Sequence, residues 1–365
     1  MNDPHSQNEK KPPSRGLLLL FVGVLAGVIL TLAIVGAIVL ISRRTVSPPD
    51  LPSDVEILSE DPEKTPLFDG NVTLPPLDRD GAKTPDLGAE VAVLLDVSSG
   101  KVLASKGGQN KFFPASITKI MTMVVACERL SLEDLDEKAT MTEEVYNYVR
   151  EGGYKDSSVF AFYPGEEIKI RDLLFGVGVK SCSDCTLLLI RKLAASEEEF
   201  VGWMNAKAKA LGMNATHFDN VIGYESEDNY STAEDLAILL TYALECDLIR
   251  EILSSPSYTF YYGAYMKSGE WKDDIRGTFF STLFNANGTG RIADYEKEIG
   301  KKFSLAAGTL DGGKTGSLKF GSNWAYSLAS YATIGGKVYV SIVGNSSSSA
   351  GLMKDVKALF DGYAK

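Results

Sequence analysis

Residues 113–122 read FPASITKIMT, a stretch in which a serine and a lysine stand three positions apart. Apolar residues at helical spacing predict a helix over Ala115–Leu130. Residues three apart on a helix share one face, so Lys119 can reach the hydroxyl of Ser116. Burial and a second nearby cation, for which Lys314 is the candidate, lower the pKa of a lysine until its neutral amine can accept a proton. The stretch predicts a serine nucleophile with a lysine base, and a solvated serine and lysine on a helix surface is the plain alternative.

The histidine content narrows the chemistry further. His5 and His217 are the only histidines in the sequence. This rules out sites built from several histidine ligands and leaves little room for Ser-His-Asp catalysis. A G-x-S-x-G nucleophile motif is absent as well. We therefore expect no metal and no cofactor, and a catalytic base other than histidine.

Residues 308–317 read GTLDGGKTGS, which fits both the phosphate-binding pattern G-x-x-x-x-G-K-[ST] and the K-T-G motif of penicillin-interacting serine enzymes. A phosphate loop has to open a helix, whereas the residues from Asn323 onward alternate as a strand does. Asp311 inside the loop would also repel phosphate. We therefore expect no nucleotide partner and interpret residues 314–316 as a K-T-G motif, with a plain polar turn as the alternative.

The stretch at 113–122 resembles the active-site segment of the low-molecular-weight penicillin-binding proteins, the serine-type D-alanyl-D-alanine carboxypeptidases. The resemblance extends over about residues 90–345, where further stretches agree with that family in the same order. They are LLDVSSGKV at 94–102, LGMNATHF at 211–218, YSTA at 230–233 and DGGKTG at 311–316. The resemblance implies the penicillin-binding, β-lactamase-like transpeptidase fold, an α+β domain with an antiparallel sheet flanked by helices plus a helical subdomain. It also implies peptidoglycan stem peptides as substrates and β-lactam antibiotics as ligands.

The resemblance assigns roles to individual residues as well. Ser116 is expected to be the acylated nucleophile and Lys119 its base, while Lys314 and Thr315 would hold the terminal carboxylate of the peptide. The oxyanion hole of the family uses backbone N–H groups, which would be those of Ser116 and Ser317. The implied catalytic residues are Ser116, Lys119, Ser181 and Lys314, and the implied substrate-binding residues are Ser183, Thr315, Gly316 and Ser317.

The second motif of the family, S-x-N, is where this sequence departs from the pattern. Aligned through residues 171–174, the motif falls on residues 181–183 (SCS), with serine in place of asparagine. A second register over residues 183–185 (SDC) lacks the asparagine too. Ser181 can still relay a proton to a leaving group, whereas Ser183 is too short to replace both hydrogen bonds of a side-chain amide.

The four cysteines fall into two groups. Cys182 and Cys185 form a C-x-x-C beside the predicted active site, and we expect two free thiols there, with a strained local disulfide as the alternative. Cys127 stands on the apolar face of its predicted helix, and Cys246 stands near the end of another. Both are therefore predicted to lie in the core.

The remaining pattern places strands at both ends of the domain around a helical middle. Glu90–Asp96 and Lys101–Ser105 read as a hairpin, and alternation after Asn323 predicts strands joined at residues 335–336. This order predicts an α+β architecture with one antiparallel sheet. Residues 254–299 fit the family poorly and are expected to form an insertion near the cleft. Further helices are predicted over 170–177, 184–195, 197–211, 232–245 and 350–363.

The N-terminal part of the chain has a different composition from the rest. Residues 16–41 carry no charge over 26 positions, and a helix of that length spans roughly 39 Å. An uncleaved transmembrane anchor is expected, with a cleaved signal peptide as the alternative. Between residues 45 and 86 lie eight of the fourteen prolines among many acidic residues, which predicts a stiff, solvated linker. The predicted order is a cytoplasmic tail (1–15), an anchor (16–42), a linker (43–87) and an extracytoplasmic catalytic domain (88–365).

A net charge of −11 argues against nucleic acid as a partner, because phosphate binding favours a basic surface. The sequence and the resemblance lead to one hypothesis: a carboxypeptidase, anchored in the cell membrane by its N-terminal helix, that removes the terminal D-alanine of peptidoglycan stem peptides through a Ser116 acyl-enzyme. A catalytically weak wall-binding or β-lactam-sensing homologue is one alternative. A β-lactamase is another, although no residue for its water-activating base can be identified.

Overall fold

The computed structural model describes Leu58 and residues 64–365 of the chain. The chain divides into two units, Met1–Pro48 and Pro49–Lys365, and all described residues belong to the second. The predicted anchor and the first part of the predicted linker lie outside the described residues. Within the described part, no helix is both long enough and apolar enough to cross a membrane.

The described residues form two antiparallel sheets and a set of helices. The strands are β1 (Val91–Asp96), β2 (Lys101–Lys106), β3 (Lys138–Thr140), β4 (Glu167–Lys169), β5 (Ser257–Tyr265), β6 (Trp271–Phe280), β7 (Thr309–Phe320), β8 (Asn323–Ile334) and β9 (Lys337–Ser346). The α-helices are α1 (Lys119–Cys127), α2 (Glu143–Arg150), α3 (Ile170–Phe175), α4 (Ser183–Arg191), α5 (Glu197–Ala210), α6 (Ala233–Ala243), α7 (Asp247–Ser254), α8 (Arg291–Ile299) and α9 (Ser349–Tyr363). Short 3₁₀ helices occupy Ala115–Thr118 and Glu133–Asp136, and a π-helix occupies Gly176–Lys180.

The larger sheet has the strand order β2-β1-β9-β8-β7, which makes β7 an edge strand. Strand β1 is buried along its whole length because both faces of the sheet are covered. Val93 and Leu95 on one face belong to the core shared with the helical middle of the chain. Ala92 and Leu94 on the other face belong to the core that includes α9. The α+β architecture with helices flanking an antiparallel sheet is therefore as predicted.

A second sheet, in the order β3-β4-β5-β6, was not predicted. Strands β3 and β4 have three residues each, too few for a visible alternation of apolar side chains. Strands β5 and β6 form a hairpin within residues 254–299, the segment expected to be an insertion, and α8 completes that segment. Its residues from Thr278 to Asp294 line the cleft described below, so the expected location near the cleft is confirmed.

The helix that carries the predicted nucleophile and base differs in form from the prediction. The predicted helix over Ala115–Leu130 begins as the 3₁₀ turn and continues as α1, which ends at Cys127. Every residue of α1 is buried, which agrees with its run of apolar side chains. The helix predicted over 170–177 changes at Gly176 into the π-helix. The other predicted helices are present, with ends that differ by a few residues.

The prediction of a solvated linker is wrong for residues 64–87. Leu67 and Phe68 donate backbone hydrogen bonds to the carbonyls of Leu130 and Cys127, at 2.6 and 3.1 Å. Phe68 is only 6% exposed and packs in the main core. Farther along, residues 78 and 83 form isolated β-bridges with strand β2. This stretch is part of the folded domain because its few apolar side chains and its backbone groups find partners on the domain surface.

Candidate active site

A cleft of ≈ 1190 Å³ brings together stretches that are far apart in the sequence. Edge strand β7 contributes one side of it, and the loop before α4 together with the 3₁₀ turn at Ala115–Thr118 contributes another. Lys314 lies immediately behind the lining, fully buried and in contact with Ser181. Of the residues predicted for the site, the lining includes Ser116, Lys119, Ser181, Ser183, Thr315 and Ser317.

Ser116 is presented to the cleft by an unusual backbone. Ala115 has φ +51°, in the left-handed region that residues with a side chain rarely adopt. Ala115 begins the 3₁₀ helix, and Ser116, the next residue, is half-buried at the wall of the cleft. Strain of this kind persists only where the surroundings fix the backbone, and it is concentrated at functional sites.

Two glycines allow neighbouring segments of the backbone to pack closely against the turn that carries Ser116. A side chain at Gly223, which has φ +76°, would place its Cβ 1.8 Å from the carbonyl oxygen of Ala115. A Cβ at Gly316 would lie 2.8 Å from the carbonyl oxygen of Pro114. Gly316 of the K-T-G motif therefore allows strand β7 to approach the turn at Ala115–Thr118 closely, and it is absent from the cleft lining.

The amine of Lys119 is buried beside the hydroxyl of Ser116. Its Nζ lies 3.2 Å from Ser116 Oγ and donates to the carbonyl oxygen of Ile222 at 3.0 Å. The residue is 1% exposed. Burial lowers its pKa to about 7, although the nearby Cys182 and Asp184 act in the opposite direction. At neutral pH a large share of the amine is therefore unprotonated and can accept the proton of the serine hydroxyl.

Ser181 and Lys314 form a second serine–lysine pair. Ser181 follows the π-helix in a left-handed conformation with φ 63°, which turns its side chain out of the helical path. Lys314 Nζ donates to Ser181 Oγ at 2.8 Å and to the carbonyl oxygen of Thr315 at 3.0 Å. The structure thus brings together Ser116, Lys119, Ser181 and Lys314 from three separate stretches, as the sequence prediction requires.

The pKa of Lys314 depends on its burial and on the positive charges around it. Burial is the first reason why the pKa of Lys314 lies well below its ordinary value, and the positive charges of Lys119 and Arg291 lower it further. The sequence suggested that burial and the charge of Lys314 together lower the pKa of Lys119; burial is the cause that lowers it in the structure. Burying two positively charged ammonium groups in one site costs free energy unless a counter-ion is present. An anion bound in the cleft would therefore stabilise the protonated form of Lys314.

The second-motif position is occupied by Ser183, at the first residue of α4. Its side chain is fully buried, lines the cleft, and its Oγ has no hydrogen-bond partner among the described residues. Cys185 is packed against Gly176, where an added Cβ would lie 2.4 Å from its Sγ, and is absent from the cleft lining. Because Ser181 rather than Ser183 meets Lys314, the geometry favours the register over residues 181–183.

All four cysteines are free thiols and buried. The described residues include a group of three possible metal ligands: Cys182, Asp184 and Cys185. Their ligand atoms lie close enough together to hold a metal ion. The carboxylate of Asp184, however, already accepts the backbone N–H groups of Phe160, Ala161 and Cys185. Its oxygens are therefore engaged in holding the wall of the cleft.

The opposite side of the cleft contains two residues that the sequence analysis missed. Thr282 accepts a hydrogen bond from Thr315 Oγ1 at 2.7 Å. Arg291 contacts the hydroxyl of Ser317, and its Nη1 lies 3.4 Å from Ser349 Oγ.

Arg291 is poorly neutralised for a buried guanidinium. Its side chain is 14% exposed, and the nearest carboxylate, that of Asp294, is 3.9 Å away. Its Nε has no hydrogen-bond partner among the described residues, and its Cζ lies 4.6 Å from the centroid of the Tyr326 ring. No local motif marks this residue, because its position depends on how residues 281–291 fold over β7. A buried cation that lines the cleft is suited to an anionic ligand.

Comparison with known proteins gives a consistent result. The family model described as D-alanyl-D-alanine carboxypeptidase matches residues 78–276, more than half of the chain. The carboxypeptidase DacF of Bacillus subtilis is 36% identical over 190 residues, which cover 51% of this chain and 45% of the relative. The carboxypeptidase DacC of Escherichia coli is 35% identical over 159 residues, which cover 43% of this chain and 40% of the relative. The chain thus spans less than half the length of these curated relatives.

The fold has solved counterparts. A serine-to-alanine variant of a Streptomyces DD-transpeptidase superposes with a TM-score of 0.62 at 25% identity, covering 76% of this chain and 98% of that one. The arrangement of helices around an antiparallel sheet is thus one already known from crystal structures.

Proposed function

Because the chain belongs to the D-alanyl-D-alanine carboxypeptidase family of serine peptidases, we propose that it hydrolyses the terminal D-alanine of peptidoglycan stem peptides. The observation that carries this proposal is the 3.2 Å contact between Lys119 Nζ and Ser116 Oγ in a buried site where the lysine pKa falls to about 7. A lysine of ordinary pKa would be almost fully protonated at neutral pH and could not serve as a base.

The first step forms an ester on Ser116. Lys119 accepts the hydroxyl proton while Ser116 Oγ attacks the carbonyl carbon of the penultimate D-alanine. Backbone N–H groups of Ser116 and Ser317 are the proposed donors to the oxygen that becomes negatively charged. Collapse of the tetrahedral intermediate breaks the peptide C–N bond and leaves the acyl-enzyme.

The leaving group is a D-alanine whose amine nitrogen needs a proton. Ser181 is the proposed donor, and the Lys314 ammonium, 2.8 Å from Ser181 Oγ, would replace the proton it gives up. Before the second half of the reaction, the proton that Lys119 gained passes to the now neutral Lys314 amine, so Lys119 is again unprotonated. Water then attacks the ester carbonyl and Lys119 accepts a proton from it. Collapse of the second tetrahedral intermediate breaks the ester C–O bond, the Lys119 ammonium returns the proton to Ser116 Oγ, and the shortened peptide leaves as a carboxylic acid. The route needs no group beyond side chains, backbone donors and water.

The terminal carboxylate of the substrate is the proposed counter-ion for the cations of the cleft. Thr315, Ser317 and Arg291 can each donate a hydrogen bond to it, and Lys314 lies behind them. Binding this anion would also favour the protonated form of Lys314, which the second proton transfer requires. A penicillin carries a carboxylate next to its reactive amide as well, so the same cleft is proposed to bind β-lactams and to be acylated by them at Ser116.

We further propose that residues 16–42 anchor the chain in the cell membrane with residues 88–365 outside it. The uncharged run of 26 residues supports the anchor, and the substrate class supports the orientation, because peptidoglycan lies outside the membrane. Protease treatment of intact cells should digest the catalytic domain. If the domain is protected until the cells are lysed, both the topology and access to the substrate are wrong.

A second candidate function, a catalytically weak wall-binding or β-lactam-sensing protein, is favoured by one observation. Ser183 occupies the position where the family has asparagine, and its hydroxyl is buried without a partner. A site that lacks the amide would hold a peptide less well and react more slowly. The two candidates differ in turnover, since only the first releases D-alanine repeatedly.

The test is release of D-alanine from a peptide ending in D-alanyl-D-alanine by the full-length chain. Ser116→Ala should reduce release by about 10³-fold or more, because the covalent route needs the serine oxygen. Ser158→Ala is the matched control, since Ser158 also lines the cleft but its hydroxyl contacts the carbonyl of Lys180. Release that continues unchanged in Ser116→Ala would overturn the assignment of the nucleophile. Acylation by penicillin without release would favour the second candidate.

A further inference from the structure

The backbone carbonyl of Ile222 determines how the amine of Lys119 is oriented. A neutral amine has one lone pair, and it can accept the proton of Ser116 only if that lone pair points toward the serine oxygen. The hydrogen bond from Lys119 Nζ to the Ile222 carbonyl, at 3.0 Å, engages an N–H on another side of the nitrogen. The position of this carbonyl therefore controls the direction of the lone pair.

Val221, the residue just before Ile222, is held through both its backbone N–H group and its backbone carbonyl. The backbone N–H of Val221 donates to Glu197 Oε1 at 3.1 Å. The carbonyl oxygen of Val221 accepts from Thr122 Oγ1 on α1 at 2.6 Å. Residue 221 is therefore held by helix α5 on one side and by the helix of the catalytic lysine on the other.

Glu197 is an unusual residue for this place. It is the first residue of α5 and only 8% exposed. Its Oε1 also accepts the hydroxyl of Tyr154, while its Oε2 is buried without a partner among the described residues. Burial raises the pKa of this carboxyl. Burying a carboxyl with one unpaired oxygen costs free energy, and this structure uses its other oxygen to hold the loop that carries Ile222.

We propose that Glu197 is a positioning residue for the general base of the reaction. Through the N–H of Val221 it holds the loop at residues 220–223, and the loop's Ile222 carbonyl orients the amine of Lys119 toward Ser116. The inference rests on the proposed function, because it assumes that Lys119 acts as the base in acylation. Nothing in the role of Glu197 requires contact with substrate.

The pH dependence of acylation is a readout that a merely structural role would not change. The groups that face Lys119 are Cys182, Cys185 and Asp184 around the start of α4, together with Lys314 on β7. Loss of the Ile222 carbonyl as a hydrogen-bond acceptor destabilises the ammonium form of Lys119 and lowers its pKa. A displaced loop should therefore shift the acid limb of the rate profile to lower pH while it reduces the limiting rate.

The experiment measures the rate constant of acylation by a fluorescent penicillin between pH 5 and 9 for the full-length chain and its variants. Glu197→Ala should lower the limiting rate by about 10- to 100-fold, since small displacements of a catalytic group have effects of this size. Glu197→Gln keeps an oxygen that accepts from Val221 and Tyr154, so it should restore most of the rate. Glu198→Ala, an exposed neighbour on the same helix turn, should behave as the unsubstituted chain does.

Several outcomes would overturn the proposal. An unchanged rate and acid limb in Glu197→Ala would do so. So would Glu197→Gln being as slow as Glu197→Ala, since the hydrogen-bond acceptor is then not what matters. If Glu197→Ala does not fold, Thr122→Val removes the other support of Val221 with little change of shape, and an unchanged profile in that variant contradicts the inference.

The failure of this inference can be told apart from a failure of the proposed function. If the unsubstituted chain is not acylated, both fall together. If the unsubstituted chain is acylated at Ser116 and Glu197→Ala reacts at the same rate with the same pH profile, only the role of Glu197 is refuted.

Discussion

The floor of the cleft, residues 113–122, and its roof, residues 281–291, are built in different ways. The floor is a continuous stretch in which a turn and a helix place the proposed nucleophile and the proposed base three residues apart. The roof is a connection between β6 and α8 whose side chains reach across to another strand. Thr282 meets Thr315, and Arg291 meets Ser317.

This difference separates the chemical function of the site from its selectivity. The floor can be recognised locally because helical spacing fixes the Ser116–Lys119 pair and apolar neighbours bury it. The roof supplies a cation only through tertiary packing, so its contribution is to the charge that the cleft accepts. Changes in the floor should therefore affect the reaction of every substrate, whereas changes in the roof should affect mainly substrates with a terminal carboxylate.

The largest effect is expected for the floor. Lys119→Met keeps the length of the side chain and removes the amine, and it should slow acylation by about 10²- to 10⁴-fold, the usual contribution of a general base. The rate of the unsubstituted chain should rise with pH and level off above about pH 7, because burial lowers the pKa of Lys119 to about 7 and only the neutral amine accepts a proton. Stopped-flow measurement with a fluorescent penicillin gives both quantities.

The sign of that pH dependence is a strict condition. Below the pKa the amine is an ammonium and cannot take the serine proton, so the rate has to fall toward acid. A profile that is flat from pH 5 to 9 would mean that Lys119 is not the base. In the Lys119→Met variant the residual rate should show no inflection near pH 7.

The next effect concerns the roof. Arg291→Ala should reduce kcat/KM for a peptide ending in a free D-alanine carboxylate by roughly 10- to 150-fold, the range for a lost hydrogen bond to a charged group. The same peptide with an amidated C-terminus lacks the anion and should lose much less. Arg276→Ala, which removes an exposed guanidinium from β6 in the same segment, is the control. Equal losses on both peptides would show that Arg291 supports the cleft without reading the carboxylate.

The smallest effect is a gain. Ser183→Asn restores the side-chain amide of the family's second motif and should raise kcat/KM by about 5- to 30-fold, provided the cleft has room for it. Assays with and without reductant test whether Cys182 and Cys185 restrict the position. Cys185→Asn should give no gain, because Cys185 packs against Gly176 and is absent from the cleft lining. A rise in kcat/KM for Cys185→Asn but not for Ser183→Asn would instead assign the second motif to residues 183–185.

Site residues could be predicted from the sequence where their roles depend on spacing within one helix or on the order of motifs along the chain. Ser116 and Lys119 could be inferred from a helix, and Ser181 and Lys314 from the order of motifs that the resemblance implied. Arg291 could not be inferred. It stands 23 residues before Lys314, beyond residue 276 where the match to the family model ends, and only the fold of the roof brings it to the cleft.

The average composition of residues 64–87 led to a wrong prediction of their environment. Proline and acidic residues predicted a solvated linker, yet Leu67 and Phe68 were apolar residues inside that stretch and the structure shows Phe68 buried in the core. Several apolar side chains, among them Phe68, Leu74, Leu77 and Leu87, pack in or against the two cores, and together with a few backbone hydrogen bonds they outweighed the average polarity of the segment. The role inferred for Glu197 was equally hidden, because an acidic residue in the first turn of a helix is common for reasons of the helix dipole alone.

The proposed mechanism depends most directly on the formation of a covalent bond at Ser116. Time-resolved mass spectrometry of the full-length chain with a penicillin should show an adduct of the intact antibiotic, located on the peptide that contains Ser116 and stable for minutes. The Ser116→Ala variant should show none. An adduct that never accumulates while the antibiotic is hydrolysed would identify a β-lactamase instead. Failure to form any adduct, or an adduct on another residue, would contradict the central claim that Ser116 and Lys119 form the reactive pair.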